Sequence, residues 1–108
     1  MFRRNMKVVT ICGSMRFQKE MIKIAQKLEL EQNYCVLQCV YDLPPVTTAQ
    51  LQKLSALHYK KIDISDAIYV VNINGYVGES CQNEIEYAKS LNKEIIYHEK
   101  IKNTGKTK

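Results

Sequence analysis

Two short glycine–serine segments hold the residue types best suited to chemistry in this chain: Cys12-Gly13-Ser14-Met15-Arg16 and Gly75-Tyr76-Val77-Gly78-Glu79-Ser80. The first follows the β-branched run Lys7-Val8-Val9-Thr10-Ile11-Cys12 and precedes an amphipathic stretch. Where a chain turns from strand into helix, the first helical N–H groups point outward and favour an anion, and a glycine lets that anion approach closely. Ser14 and Arg16 add further donors suited to a phosphate. The second segment opens another helix, and Glu84 stands one turn beyond Ser80, where its carboxylate can face a crevice above a sheet. Plainer readings exist for both: Ser14 as a helix cap and Glu84 as a first-turn acid stabilised by the helix dipole. Glu86 faces another side of the same helix. The chain has neither a Walker lysine motif nor a complete Gly-x-Gly-x-x-Gly fingerprint, so ATP hydrolysis and dinucleotide binding fit poorly.

The elements that must position these residues follow from periodicity. Lys7 to Cys12 reads as a buried strand stopped by Gly13. Phe17, Met21, Ile24, Ala25 and Leu28 recur at three- and four-residue spacing and predict a helix over 16–32. Residues 34–40 form a second apolar strand, and Asp42-Leu43-Pro44-Pro45 breaks regular structure. Thr47 or Thr48 then caps a helix whose core face carries Leu51, Leu54, Leu57 and Ile62. Residues 66–72 give the third strand, 80–91 the third helix and 94–97 the fourth strand.

Such βαβαβαβ alternation predicts a parallel sheet covered by helices, a flavodoxin-like or Rossmann-like three-layer α/β sandwich with strand order 2-1-3-4. That order sets the first and third strands side by side with their outgoing chains diverging, and ligands bind at the carboxyl ends of strands at such a switch point. The two glycine–serine segments are the loops that leave those strands, and they should meet in one site.

The 108 residues suit one domain. The net charge of +5 belongs to the ends of the chain. Residues 8–98 hold nine basic against ten acidic side chains, so no basic stripe crosses the body and nucleic-acid binding is not expected. The basic segments about 1–5 and 100–108 read as flexible tails. No apolar run approaches the roughly 20 residues of a membrane helix, and no signal-peptide core is evident, which points to a cytoplasmic protein. Cys12, Cys35, Cys39 and Cys81 form no Cys-x-x-Cys pair and read as buried reduced thiols. With two histidines and no ligand spacing in evidence, no metal is predicted.

Gly13-Ser14-x-Arg16-Phe17, the strand 66–72, and Gly75-Tyr76-Val77-Gly78-Glu79-Ser80 followed by Asn83-Glu84-Ile85-Glu86-Tyr87-Ala88 together resemble the nucleoside 2-deoxyribosyltransferase-like superfamily over residues 7–98. That superfamily includes deoxynucleoside-monophosphate N-glycosidases. The resemblance implies transfer or hydrolysis at the N-glycosidic bond of a nucleoside or nucleotide, with no cofactor and commonly as a homo-oligomer. It implies Glu84 as the nucleophile that attacks the anomeric carbon, giving a glycosyl-enzyme that a second base or water resolves. Gly78 and Ser80, with Ser14 and Arg16, would hold the sugar's 5′ end or its phosphate. Two positions depart from the family. Thr10 stands where a tyrosine is frequent and keeps a hydroxyl, of shorter reach, for binding substrate, and His58 stands where a catalytic aspartate is expected; Asp63 is the alternative if the helix register shifts. A histidine there could protonate a leaving base. These departures leave room for a member that binds nucleotides without turnover.

Overall fold

The computed structural model describes residues 6–101; the predicted basic tails, apart from Lys100 and Ile101, lie outside the described residues. Four strands, β1 (Val8–Gly13), β2 (Cys35–Leu37), β3 (Ala67–Val71) and β4 (Glu94–Tyr97), form one all-parallel sheet in the order β2-β1-β3-β4. Three helices connect them: α1 (Gln18–Gln32), α2 (Thr48–Asp63) and α3 (Glu79–Ser90). This is the three-layer α/β sandwich and strand order expected from the alternation. No described helix is long and apolar enough to cross a membrane.

Period-two alternation in the strands sorts the core into two layers. Ile11 and Val71 join Met21, Ile24, Ala25 and Leu28 of α1 on one face. Cys12, Ile68 and Val70 join Ile62 of α2 and Cys81, Ile85 and Ala88 of α3 on the other. Strands buried on both faces read as continuous apolar runs, as β1 and β3 do. The pairing of Gly13 with Val71 ends β1 and β3 at the same level, so both glycine–serine loops leave the sheet side by side.

Local chemistry explains the element boundaries. Ser14 caps a short 3₁₀ turn (Met15–Phe17), accepting from the Arg16 N–H at 3.2 Å, so α1 begins at Gln18 rather than at Arg16. Asn33 ends α1 in the left-handed conformation. Thr47, not Thr48, caps α2 through a reciprocal box with Gln50, at 3.1 and 2.8 Å. Asp66 accepts from the Val8 N–H at 2.8 Å and fastens the start of β1.

Three expectations are corrected. Strand β2 spans only Cys35–Leu37, so Cys39 lies beyond it, and Cys35 is exposed rather than buried. Leu51 and Leu57 are 51% and 48% exposed. Only His58 and Ile62 of α2 are buried, so the helix meets the sheet with its C-terminal half while its N-terminal half overhangs.

Gly13 is required by close approach. A Cβ there would sit 3.1 Å from both Met21 Sδ and Val71 Cβ, and the latter belongs to a paired strand that has no room to move. Gly13→Ala should cost about 1–3 kcal/mol of stability, read as a lower urea midpoint at unchanged m. Gly78 has φ −74° and its nearest such contact is 3.5 Å, so Gly78→Ala should leave the midpoint within about 0.5 kcal/mol of wild type. Equal midpoints for the two variants would contradict this assignment.

Candidate functional site

At the carboxyl ends of β1 and β3 lies a cavity of about 730 Å³, the size of a small-ligand site. Gly13 and Ser14 from the first loop line it opposite Gly78 and Ser80 from the second, with Glu84 from α3 and His58 from α2. The two loops therefore meet, as the strand order requires. The overhanging half of α2 supplies an apolar wall through Leu51, Leu54 and Leu57, continued by Val40 and Leu43. The leucine repeat predicted a core face; it lines the cavity instead.

Because Cys12 and Thr10 share the strand face opposite Ile11, both point toward α2 and α3. Cys12 is fully buried, and its Sγ lies 3.6 Å from His58 Nε2. The same Nε2 lies 3.5 Å from Glu84 Oε1. One imidazole nitrogen thus faces both a thiol and a carboxylate, whose residues come from three different elements.

Burial governs the charge of this cluster. It pushes the Glu84 carboxyl up to about 7, with the nearby Cys12 thiol pulling partly the other way. Burial, helped by the Lys61 ammonium, holds His58 down to about 4. Although the two groups are within ion-pair distance, the buried setting favours their neutral forms below about pH 7, with the shared proton on Glu84. Burial also raises the Cys12 thiol well above its ordinary range and pushes Cys81 up to about 12. These thiols stay protonated near neutrality and are poor nucleophiles.

Not every predicted binding residue reaches the cavity. Thr10 is fully buried and its hydroxyl is bonded to Ser65 Oγ at 2.5 Å, so it braces β1 against the end of α2 and does not line the cavity. Arg16 stacks its guanidinium 3.8 Å over the Tyr76 ring and does not line the cavity either. Arg16→Ala should cost about 0.5–1 kcal/mol of stability through the lost stacking while leaving ligand affinity unchanged by calorimetry; a large loss of affinity would return Arg16 to the site. Asp63 accepts from the Tyr87 hydroxyl, away from the cavity wall.

Residues that the sequence reading did not single out also stand here. Lys60 and Lys61 line the cavity, and Lys61 Nζ donates to the Gln38 carbonyl at 2.5 Å. The sequence marks Cys12 only as a core thiol; strand alternation gives its face but not the histidine it meets. The first turn of α3 has no side-chain cap at Gly78, and Gly78, Glu79 and Ser80 at its start line the cavity. The sequence matches no protein-family model and no curated protein.

Proposed function

We propose that this protein cleaves or transfers the N-glycosidic bond of a nucleoside or nucleotide, with Glu84 as nucleophile. The observation that carries this reading is the single cavity into which Gly13, Ser14, Gly78, Ser80 and Glu84 all converge. Its polar end, formed by the uncapped start of α3 and the hydroxyls of Ser14 and Ser80, suits the sugar's 5′ oxygen or phosphate. Lys60 and Lys61 add positive charge at the wall. The leucine wall suits the flat face of a base.

In this mechanism Glu84 attacks C1′ as the bond to the base nitrogen breaks, and the base departs with the electron pair and takes up a proton. The resting pair carries one proton on Glu84. Moving it to His58 Nε2, 3.5 Å away, frees the carboxylate for attack and puts the proton on the group able to deliver it to the base. Water or a second base then releases the sugar from Glu84. The reading is tested by incubating the purified protein with a panel of nucleosides and their monophosphates and measuring free base. No base release from any of them would overturn it for those substrates.

A non-catalytic nucleotide-binding module is the alternative, and the neutral resting form of Glu84 favours it, because a protonated carboxyl donates a hydrogen bond but does not attack carbon. Ligand binding by calorimetry without base release, equal in wild type and Glu84→Ala, would decide for that module. Homo-oligomerisation through the half-exposed Leu51 and Leu57 belongs to the same proposal and is read by light scattering.

A further inference from the structure

The thiol of Cys12, the imidazole of His58 and the carboxylate of Glu84 offer three different donor atoms, all within 4.8 Å of one another. In a tetrahedral zinc site with bonds of about 2.3 Å to sulfur and about 2.0–2.2 Å to nitrogen and oxygen, the sulfur–nitrogen edge is about 3.6 Å and the nitrogen–oxygen edge about 3.4 Å. The corresponding separations here are 3.6 Å and 3.5 Å. We infer that Cys12, His58 and Glu84 form a site for a borderline-soft divalent cation of the zinc class, with the fourth coordination position open to the cavity.

Three further features support this. The donors come from β1, α2 and α3, rigid elements packed into one apolar layer, so the set is preorganised. A thiolate and a carboxylate neutralise a dication, which lets the metal sit in a largely buried place without net charge. A thiolate with an imidazole also selects zinc or cobalt over magnesium or calcium, which prefer oxygen donors. On binding, the Cys12 thiol and the protonated Glu84 carboxyl each give a proton to solvent and, with the neutral His58 imidazole, a lone pair to the metal; no electron is transferred. Sequence spacing gave no hint of the site, because its ligands stand far apart along the chain.

The metal would occupy the same carboxylate that the proposed reaction uses as nucleophile, so it would inhibit base release. That consequence rests on the proposed function; the binding does not. The test uses the full chain, freed of metal by a chelator and kept reduced with a phosphine, and titrated with Co²⁺ and then Zn²⁺. Expected are one equivalent of Co²⁺, a near-ultraviolet thiolate-to-cobalt band, tetrahedral visible bands, and displacement by Zn²⁺. The band should vanish in Cys12→Ser and persist in Cys39→Ser and Cys81→Ser. Affinity should fall by more than about tenfold in His58→Ala and Glu84→Gln, since even outer-shell partners commonly cost 10- to 100-fold. If Cys12→Ser does not fold by circular dichroism, the wild-type spectrum and the other two ligand variants carry the test. Absence of stoichiometric binding, a bound cobalt without a thiolate band, a band that survives in folded Cys12→Ser, or affinity unchanged in His58→Ala and Glu84→Gln would each overturn the site. A protein that binds metal but, when metal-free, releases no base from the panel would leave the site standing and overturn the proposed reaction for those substrates.

Discussion

Glu84→Gln should fold and bind ligand yet lose base release by on the order of 10³-fold or more, the scale seen when a residue that acts directly on the reacting atoms is removed. The Glu84 side chain is only 15% exposed, and glutamine keeps its size and planarity, so its packing is preserved. What it removes is the oxygen that would form the bond to C1′. The loss should appear in kcat, because in the proposed complex the sugar's polar end and the base would be held by the loops and the leucine wall, not by Glu84. Product analysis by chromatography, with calorimetry for binding, separates these effects. A variant retaining a tenth or more of wild-type kcat would remove Glu84 from the nucleophile's role, whatever its affinity.

The same substitution should stabilise the metal-free protein at alkaline pH. In the folded chain the Glu84 carboxyl is pushed up to about 7 from an ordinary value of 4.5. Between those values the folded protein keeps a proton that the unfolded chain has released, so this group's contribution is full below about pH 4.5 and is lost as pH rises through 7. His58 acts in the opposite direction. Held down to about 4 from 6.5, its contribution is full above 6.5 and is lost as pH falls through 4. The two slopes oppose one another between about 4.5 and 6.5, so wild type should show a broad maximum there and weaken on both sides. Glutamine carries no charge to bury. Glu84→Gln should therefore gain on the order of 2–3 kcal/mol over wild type at pH 8, with little gain near pH 4.5. Urea unfolding of both proteins at the two pH values measures the difference. A variant no more stable than wild type at pH 8 would mean that the buried carboxylate is not under electrostatic strain. Because the reactive pair carries one proton, the base-release rate should be highest between about pH 4 and 7 and fall as pH rises through 7, where that proton is lost.

The price of a reactive group is visible in this contrast: the position that serves the proposed chemistry is the one where a neutral side chain would make the molecule more stable. Such conflicts between local stability and site chemistry are expected where function constrains the sequence.

Much of the scaffold was legible in the residues. The β-branched runs, the helical repeat from Phe17 to Leu28 and the proline break after Asp42 determined the alternation of elements. Right-handed connection of parallel strands then left the order β2-β1-β3-β4, which is the order observed. The meeting of the two glycine–serine loops follows from that order, because Gly13 and Val71 end adjacent strands at one level. Arg16 and Thr10 show where such reasoning stops. Their types suited a ligand, but Arg16 found the Tyr76 ring and Thr10 found Ser65. The leucines of α2 show the same limit. Their spacing announced an apolar face, yet spacing does not say whether a sheet or a cavity lies opposite.

The residues alone carried the alternation of strands and helices, their order and the sheet edge at which the cavity opens. Packing between elements alone brings Cys12, His58 and Glu84 together, desolvates Glu84 and turns one nitrogen of His58 to both neighbours. The physical reason is that periodicity records which face of an element is apolar, a property of neighbours along the chain. Desolvation and donor geometry depend instead on what other elements bring to that face, and those partners are set by how the helices seat on the sheet.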